Sequence, residues 1–173
     1  PYTVLVPTLV FLPVFIGGAV VVDSLAEEVE RGTLTLLRVT PASLLDVVDG
    51  KAGVMAALTP IQAGLWIALL SANDIPVGNV APILAIATAL SALSVAFAAG
   101  LAILVPVRQR AQLTYSFGML AAFAAAALLP EHPATTVARL AIDSPTLGTY
   151  AHLVGYVVAS VVAVAAFRRW VRG

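Results

Sequence analysis

From Asp23 to Lys51 the chain reads DSLAEEVERGTLTLLRVTPASLLDVVDGK, and the contrast between this segment and its flanks decides the fold. It holds Asp23, Glu27, Glu28, Glu30, Asp46 and Asp49, six of the nine acidic residues, and Arg31, Arg38 and Lys51, three of the nine basic ones. Residues 4–22 before it and 52–70 after it carry no charge. About 20 mostly apolar residues, rising 1.5 Å each, cross the hydrocarbon core of a bilayer. Both flanks have that length, so 23–51 reads as an aqueous connection between two membrane spans.

The composition agrees. Of 173 residues, 61% are hydrophobic and 10% charged, whereas soluble domains average roughly 45–50% and about 25%. A compact soluble protein of this length cannot bury so much apolar surface, so its solvent is a bilayer. The net charge is zero and no basic stripe points to nucleic acid. The absence of cysteine excludes a disulfide framework and thiolate metal sites. Pro1 opens an apolar run that lacks the basic start of a signal peptide, which reads as an N-terminally truncated copy or a fragment.

Five segments are long enough to span, at about 4–22, 52–70, 80–105, 113–129 and 148–167. The expected fold is therefore all-α, a polytopic transmembrane helical bundle forming a single membrane domain over 1–173. Pro7 and Pro13 are expected to kink the first span, and Gly17-Gly18 to allow close packing or bending. Segment 23–51, the 106–112 loop and the tail hold eight of the nine basic residues, and the other loops hold only Arg139. By the positive-inside rule these three connections face the cytoplasm. The N-terminus then starts outside, which suggests at least one further span upstream. Ala92, Ala96 and Gly100, like Gly155, Ala159 and Ala163, recur every fourth residue. Such stripes serve ordinary helix packing, or a dimer seam or substrate-facing wall.

Within 23–51, Ser24 to Arg38 favours an amphipathic helix at the membrane surface, with Asp23 or Ser24 as its N-cap. Glu27 and Arg31 stand four apart, acid first. Leu25, Val29 and Leu36 lie on one side, and Gly32 weakens the helix by about 1 kcal/mol relative to Ala. Pro41 disfavours helix at Thr40. Thr40 is then expected to cap a second helix, with Pro41 in its first turn and Leu44, Leu45 and Val48 on its apolar side. A solvated linker needs charge only to stay out of lipid, but regular alternation of Leu and Val with charges suits a docking surface.

The pattern Glu28-x-Glu30-Arg31-Gly32-Thr33-Leu34-x-x-Leu37-x-x-Thr40-Pro41-x-Ser43, followed by Gly50-Lys51, resembles the cytoplasmic motif of ABC-2 type transporter permeases. There it follows the second of six spans. Thr35, where many relatives have an acid, and Asp49, often apolar in them, depart from the pattern. The resemblance implies a membrane subunit of an ATP-binding-cassette exporter, paired with a second permease copy as a homodimer or pseudo-dimer. Segment 23–51 would be its coupling segment, docking on a separate ABC ATPase. Glu28, Glu30 and Arg31 would make polar contacts, Gly32 and Thr33 would permit close approach, and Leu34 and Leu37 would pack. Thr40 and Pro41 would mark the corner of the segment.

The remaining residues point to no internal power source. The five spans contain no Asp, Glu, Lys or Arg, the groups that ion-driven carriers hold at depth. No GxxxxGK[ST] loop occurs, and Asp49-Gly50-Lys51 is not one. Glu131-His132-Pro133 lacks the second His of a helical zinc motif. No catalytic, cofactor or metal residue is assigned, and the chain is not expected to be an enzyme. His152 reads as an interfacial hydrogen-bonding residue. Thr59, Pro60 and Gln62 read as polar packing or part of a path. An ion-coupled secondary carrier or channel fragment and a non-transporting membrane scaffold are the alternatives. A transporter without internal fuel must take its work from a partner.

Overall fold

A computed structural model describes residues 2–32 and 43–172. Its described residues form α1 (Leu5–Glu30), α2 (Leu44–Ala72), α3 (Val80–Leu104), α4 (Arg108–Ala125), α5 (Pro133–Ala141) and α6 (Leu147–Arg172). A 3₁₀ turn at Ala126–Leu128 follows α4. Five of these helices are long and apolar enough to cross a membrane, and each covers one expected span but for a few residues at its ends. The fold is an all-α polytopic bundle.

The first connection departs from expectation. No cap interrupts the chain at Asp23 or Ser24, because α1 runs on to Glu30. The stripe of Val21 and Val22 continues as Leu25 and Ala26, all four at most 2% exposed. They pack on Val95, Ala98 and Ala102 of α3 and Ala111 of α4. Residues 24–30 thus extend the first span instead of lying as a separate surface helix. Gly32, expected inside that helix, follows its C-cap Arg31 and has φ +69°. Glycine adopts this left-handed conformation without a Cβ penalty, and it ends helices for that reason. Gly32 is a stop signal, not a flexible point within a helix.

The start of α2 is corrected too. Its N-cap is Ser43, whereas Thr40 and Pro41, the expected cap and first turn, lie outside the described residues. The Ser43 backbone and side chain donate to Asp46 Oδ2 (2.7 Å each), while the Asp46 amide donates back to Ser43 Oγ (3.1 Å). This reciprocal pairing satisfies donors that every helix start leaves open. From Leu44 the helix runs unbroken to Ala72, so the expected second short helix and second span are one rod.

α1 and α3 form the centre, with the other helices packed around them. α1 continues through Pro13, and Pro7, in its first turn, replaces an amide that has no intrahelical acceptor. At mid-depth the helices are tied by hydroxyls. The Ser94 and Tyr115 hydroxyls lie 2.8 Å apart and donate to the carbonyls of Val14 and Phe15 at 3.0 Å. Ser91 Oγ donates to Thr59 Oγ1 (3.0 Å), which donates to the Met55 carbonyl (3.1 Å). Thr59 thus takes part in interhelical hydrogen bonding between α2 and α3. Away from water, such polar groups must find partners within the bundle.

α5 closes the end opposite the charged segment, burying Val137, Leu140 and Ala141 against α1, α2 and α3. Asn79 Nδ2 clamps it by donating to Asp143 Oδ1 (2.7 Å) and the Leu140 carbonyl (3.2 Å). His152 Nδ1 donates to the Gly148 carbonyl (2.8 Å), the hydrogen-bonding role expected of it. Gly155 and Ala159 are exposed on α6, and Ala163 is partly so, so most of that stripe is left uncovered by the described residues.

Candidate functional site

The expected docking residues sit at one end of the bundle, where α1 ends, α2 and α4 begin, and α6 ends. Arg31 and Glu30 are exposed there. Arg31 pairs with Glu27 at 2.7 Å, the four-residue pair read from the sequence. Glu28 is half-buried and turned inward, its Oε1 2.7 Å from Lys51 Nζ on α2. Lys51 also donates to the Ser24 carbonyl (3.4 Å). Gly32 stands at the helix stop. Thr33, Leu34, Leu37, Thr40 and Pro41 lie outside the described residues.

Two further pairs tie this corner to distant helices. Arg108, at the start of α4, grips Asp23 with Nε (2.5 Å) and Nη2 (2.7 Å). Gln112 donates to the same carboxylate, and Arg108 Nη1 lies 3.4 Å from Glu27. Two parallel N–H···O bonds fix both distance and orientation, which a lysine cannot do. Arg168, near the end of α6, pairs with Asp49 on α2 through Nη2 (2.5 Å). All these side chains are partly solvated, so each pair stabilises the bundle only modestly. Their arrangement matters more: α1 is tied to α2 and α4, and α2 to α6.

Sequence reasoning missed these cross-helix pairs. Their signal was present in the coincidence of six acids and eight bases on three connections at one end. It also missed Glu131, placed in a polar turn but only 7% exposed. Glu131 Oε2 accepts from Thr149 Oγ1 (3.2 Å) at the start of α6, where the helix dipole favours a negative charge. Its Oε1 is buried without a partner among the described residues. His132 is committed to the fold: Nδ1 accepts from the Ala134 amide and Nε2 donates to the Phe123 carbonyl, both at 3.1 Å. No cluster of three metal-ligating side chains occurs among the described residues.

A cleft of about 460 Å³ lies between α1, α3, α4 and α6, walled by Phe11, Phe15, Phe97, Met119, Phe123 and Tyr156. Its lining is almost wholly apolar. Such a cleft offers dispersion and burial, and no group that would activate a bond.

The geometry therefore describes a membrane bundle with a cluster of cross-helix ion pairs at one end, and the comparison with known proteins agrees that it is a membrane protein. No match was found among curated proteins or solved structures. The signature described as "ABC-2 family transporter protein" matches residues 2–160, from the turn before α1 into α6. The chain thus belongs to the ABC-2 transporter family, as a multi-pass membrane subunit.

Proposed function

We propose that the chain is the permease of an ATP-binding-cassette transporter, moving its cargo with work done by a separate ATPase. The charged end faces the cytoplasm, and segment 23–51 is where the ATPase docks. One observation carries this reading: the described ends of the segment are not loose linkers. They are the terminal turns of α1 and α2, and ion pairs join them to α4 and α6. A displacement applied between Glu30 and Ser43 therefore acts on four membrane helices at once. Rigid-body movement of this kind is a standard way to switch between two packed arrangements.

The exposed Glu30 and Arg31 are the described residues best placed to meet the ATPase. Glu28 supports the dock from within through Lys51. Thr33, Leu34, Leu37, Thr40 and Pro41 complete the docking surface in this reading. A second permease copy completes the path, and the exposed Gly155 and Ala159 on α6 suit close helix approach there. In this reading catalysis resides in the ATPase and the direction of transport is export.

The test is co-purification. Glu30→Ala combined with Arg31→Ala is expected to weaken recovery of the ATPase with the permease while leaving membrane insertion intact. Undiminished recovery would remove these two residues from the dock.

A further inference from the structure

α2 and α6 both pack on α3 but meet each other only sparsely. The slot between them has a floor of small side chains from α3, Ala92, Ala96 and Ala99, and the α2 wall adds Ala52, Gly53 and Ala56. The α6 wall changes character along its length. Ser160, Val161, Val164 and Ala165 give way to Arg168, Arg169 and Arg172. Positions 160, 164, 168 and 172 follow one another every fourth residue, with 161, 165 and 169 beside them, so all seven share one helix face. The slot between α2, α3 and α6 holds a cavity of about 270 Å³. A second of about 480 Å³, walled by α6 and Ala92, abuts it and shares Ala92, Val164 and Arg168, and the two together form one groove.

Its dimensions are those of one lipid leaflet. Ser160 to Arg172 rises about 18 Å at 1.5 Å per residue, and half of a hydrocarbon core is about 15 Å. The groove is apolar at depth and cationic where it reaches the membrane surface. Arg168 is engaged by Asp49, whereas Arg169 and Arg172 are exposed and have no ion pair among the described residues. Trp170, exposed at the same level, is a residue type that settles at headgroup depth.

We propose that this groove binds one anionic phospholipid from the leaflet at the charged end. An acyl chain lies over the alanine floor, and the phosphate sits between Arg169 and Arg172. Charge complementarity selects this occupant: guanidinium forks match phosphate oxygens in geometry as well as sign. A zwitterionic lipid fills the apolar half equally well but brings a compensating positive charge to the arginines. The proposal rests on the membrane-spanning reading of the bundle and is independent of the ATPase. Because Arg168 belongs to both the groove wall and the Asp49 pair, a bound lipid abuts the contact joining α2 to α6.

The experiment equilibrates the purified full chain with equimolar phosphatidylglycerol and phosphatidylcholine and reads the retained lipid by native mass spectrometry. Phosphatidylglycerol is expected to be preferred by roughly twenty- to thirty-fold, the weight of two arginines near a membrane surface. R169Q/R172Q is expected to bring the ratio near one. R110Q, which removes an exposed arginine outside the groove, leaves the ratio high, and A165W lowers retention of both lipids by filling the slot. A wild-type ratio near one, an unchanged ratio in R169Q/R172Q, or an equal loss in R110Q overturns the proposal. So does cross-linking of A165C between two copies, which would make a second chain the occupant. Should R169Q/R172Q fail to fold, as read by its helicity, the wild-type ratio and A165W still decide.

Discussion

Gly18 shows how tightly single positions are specified. A Cβ added there would overlap the hydroxyls of both Tyr115 and Ser94, the pair that ties α3 and α4 to the backbone of α1. Gly18→Ala must push Tyr115, only 2% exposed, out of its place. Overpacking of this kind costs about 1–3 kcal/mol, which should appear as a lower melting temperature in detergent. Gly18→Ala with Tyr115→Ala should recover part of the loss relative to the sum of the two single changes, because the ring and hydroxyl that the new Cβ overlaps are gone. An unaffected Gly18→Ala protein would mean that α1 and α4 do not approach this closely. Asp49 makes a related point at the surface. Its carboxylate meets Arg168 on α6. Asp49→Arg and Arg168→Asp, each alone, should lower thermal stability, and the double swap should restore it. The difference should shrink in high salt, since both side chains are partly solvated. Failure of the double swap to recover would show that α2 and α6 are not joined by this pair.

At the scale of elements, the spans were legible because apolar run length is a direct physical requirement of the bilayer. α3 begins at the expected Val80 and ends at Leu104, one residue short of expectation. The connection between α1 and α2 was legible as polar, but its helix ends were not. Asp23 reads locally as a helix start, because a carboxylate within a span is costly. Its compensation comes from Arg108, 85 residues away, and no local pattern carries that information. The true signals for this corner are Gly32, whose positive φ ends α1, and Ser43 with Asp46, which caps α2. Both motifs are short and are easily outweighed by the Thr40-Pro41 signal beside them. Glu131 was missed for a similar reason. An acid followed by His and Pro reads as a solvated turn, and its burial depends on Thr149 of the next helix.

Across the whole molecule, in the proposed function, the apolar helices supply the path and the charged end supplies the handle. Surface ion pairs are individually weak. They join α4 through α1 and α2 to α6, and in the proposed mechanism one docked partner would move helices that it does not touch. The account requires that this partner be a nucleotide hydrolase and that it sit on the end of α1. Photo-cross-linking in native membranes from a reactive residue at Glu30, with Leu147 at the opposite end as control, tests both requirements. The predicted result is an adduct with a nucleotide-binding ATPase from position 30, absent from position 147, whose yield changes when ATP is trapped. Adducts at position 30 that contain no nucleotide hydrolase, or the same adduct from both ends, would contradict it.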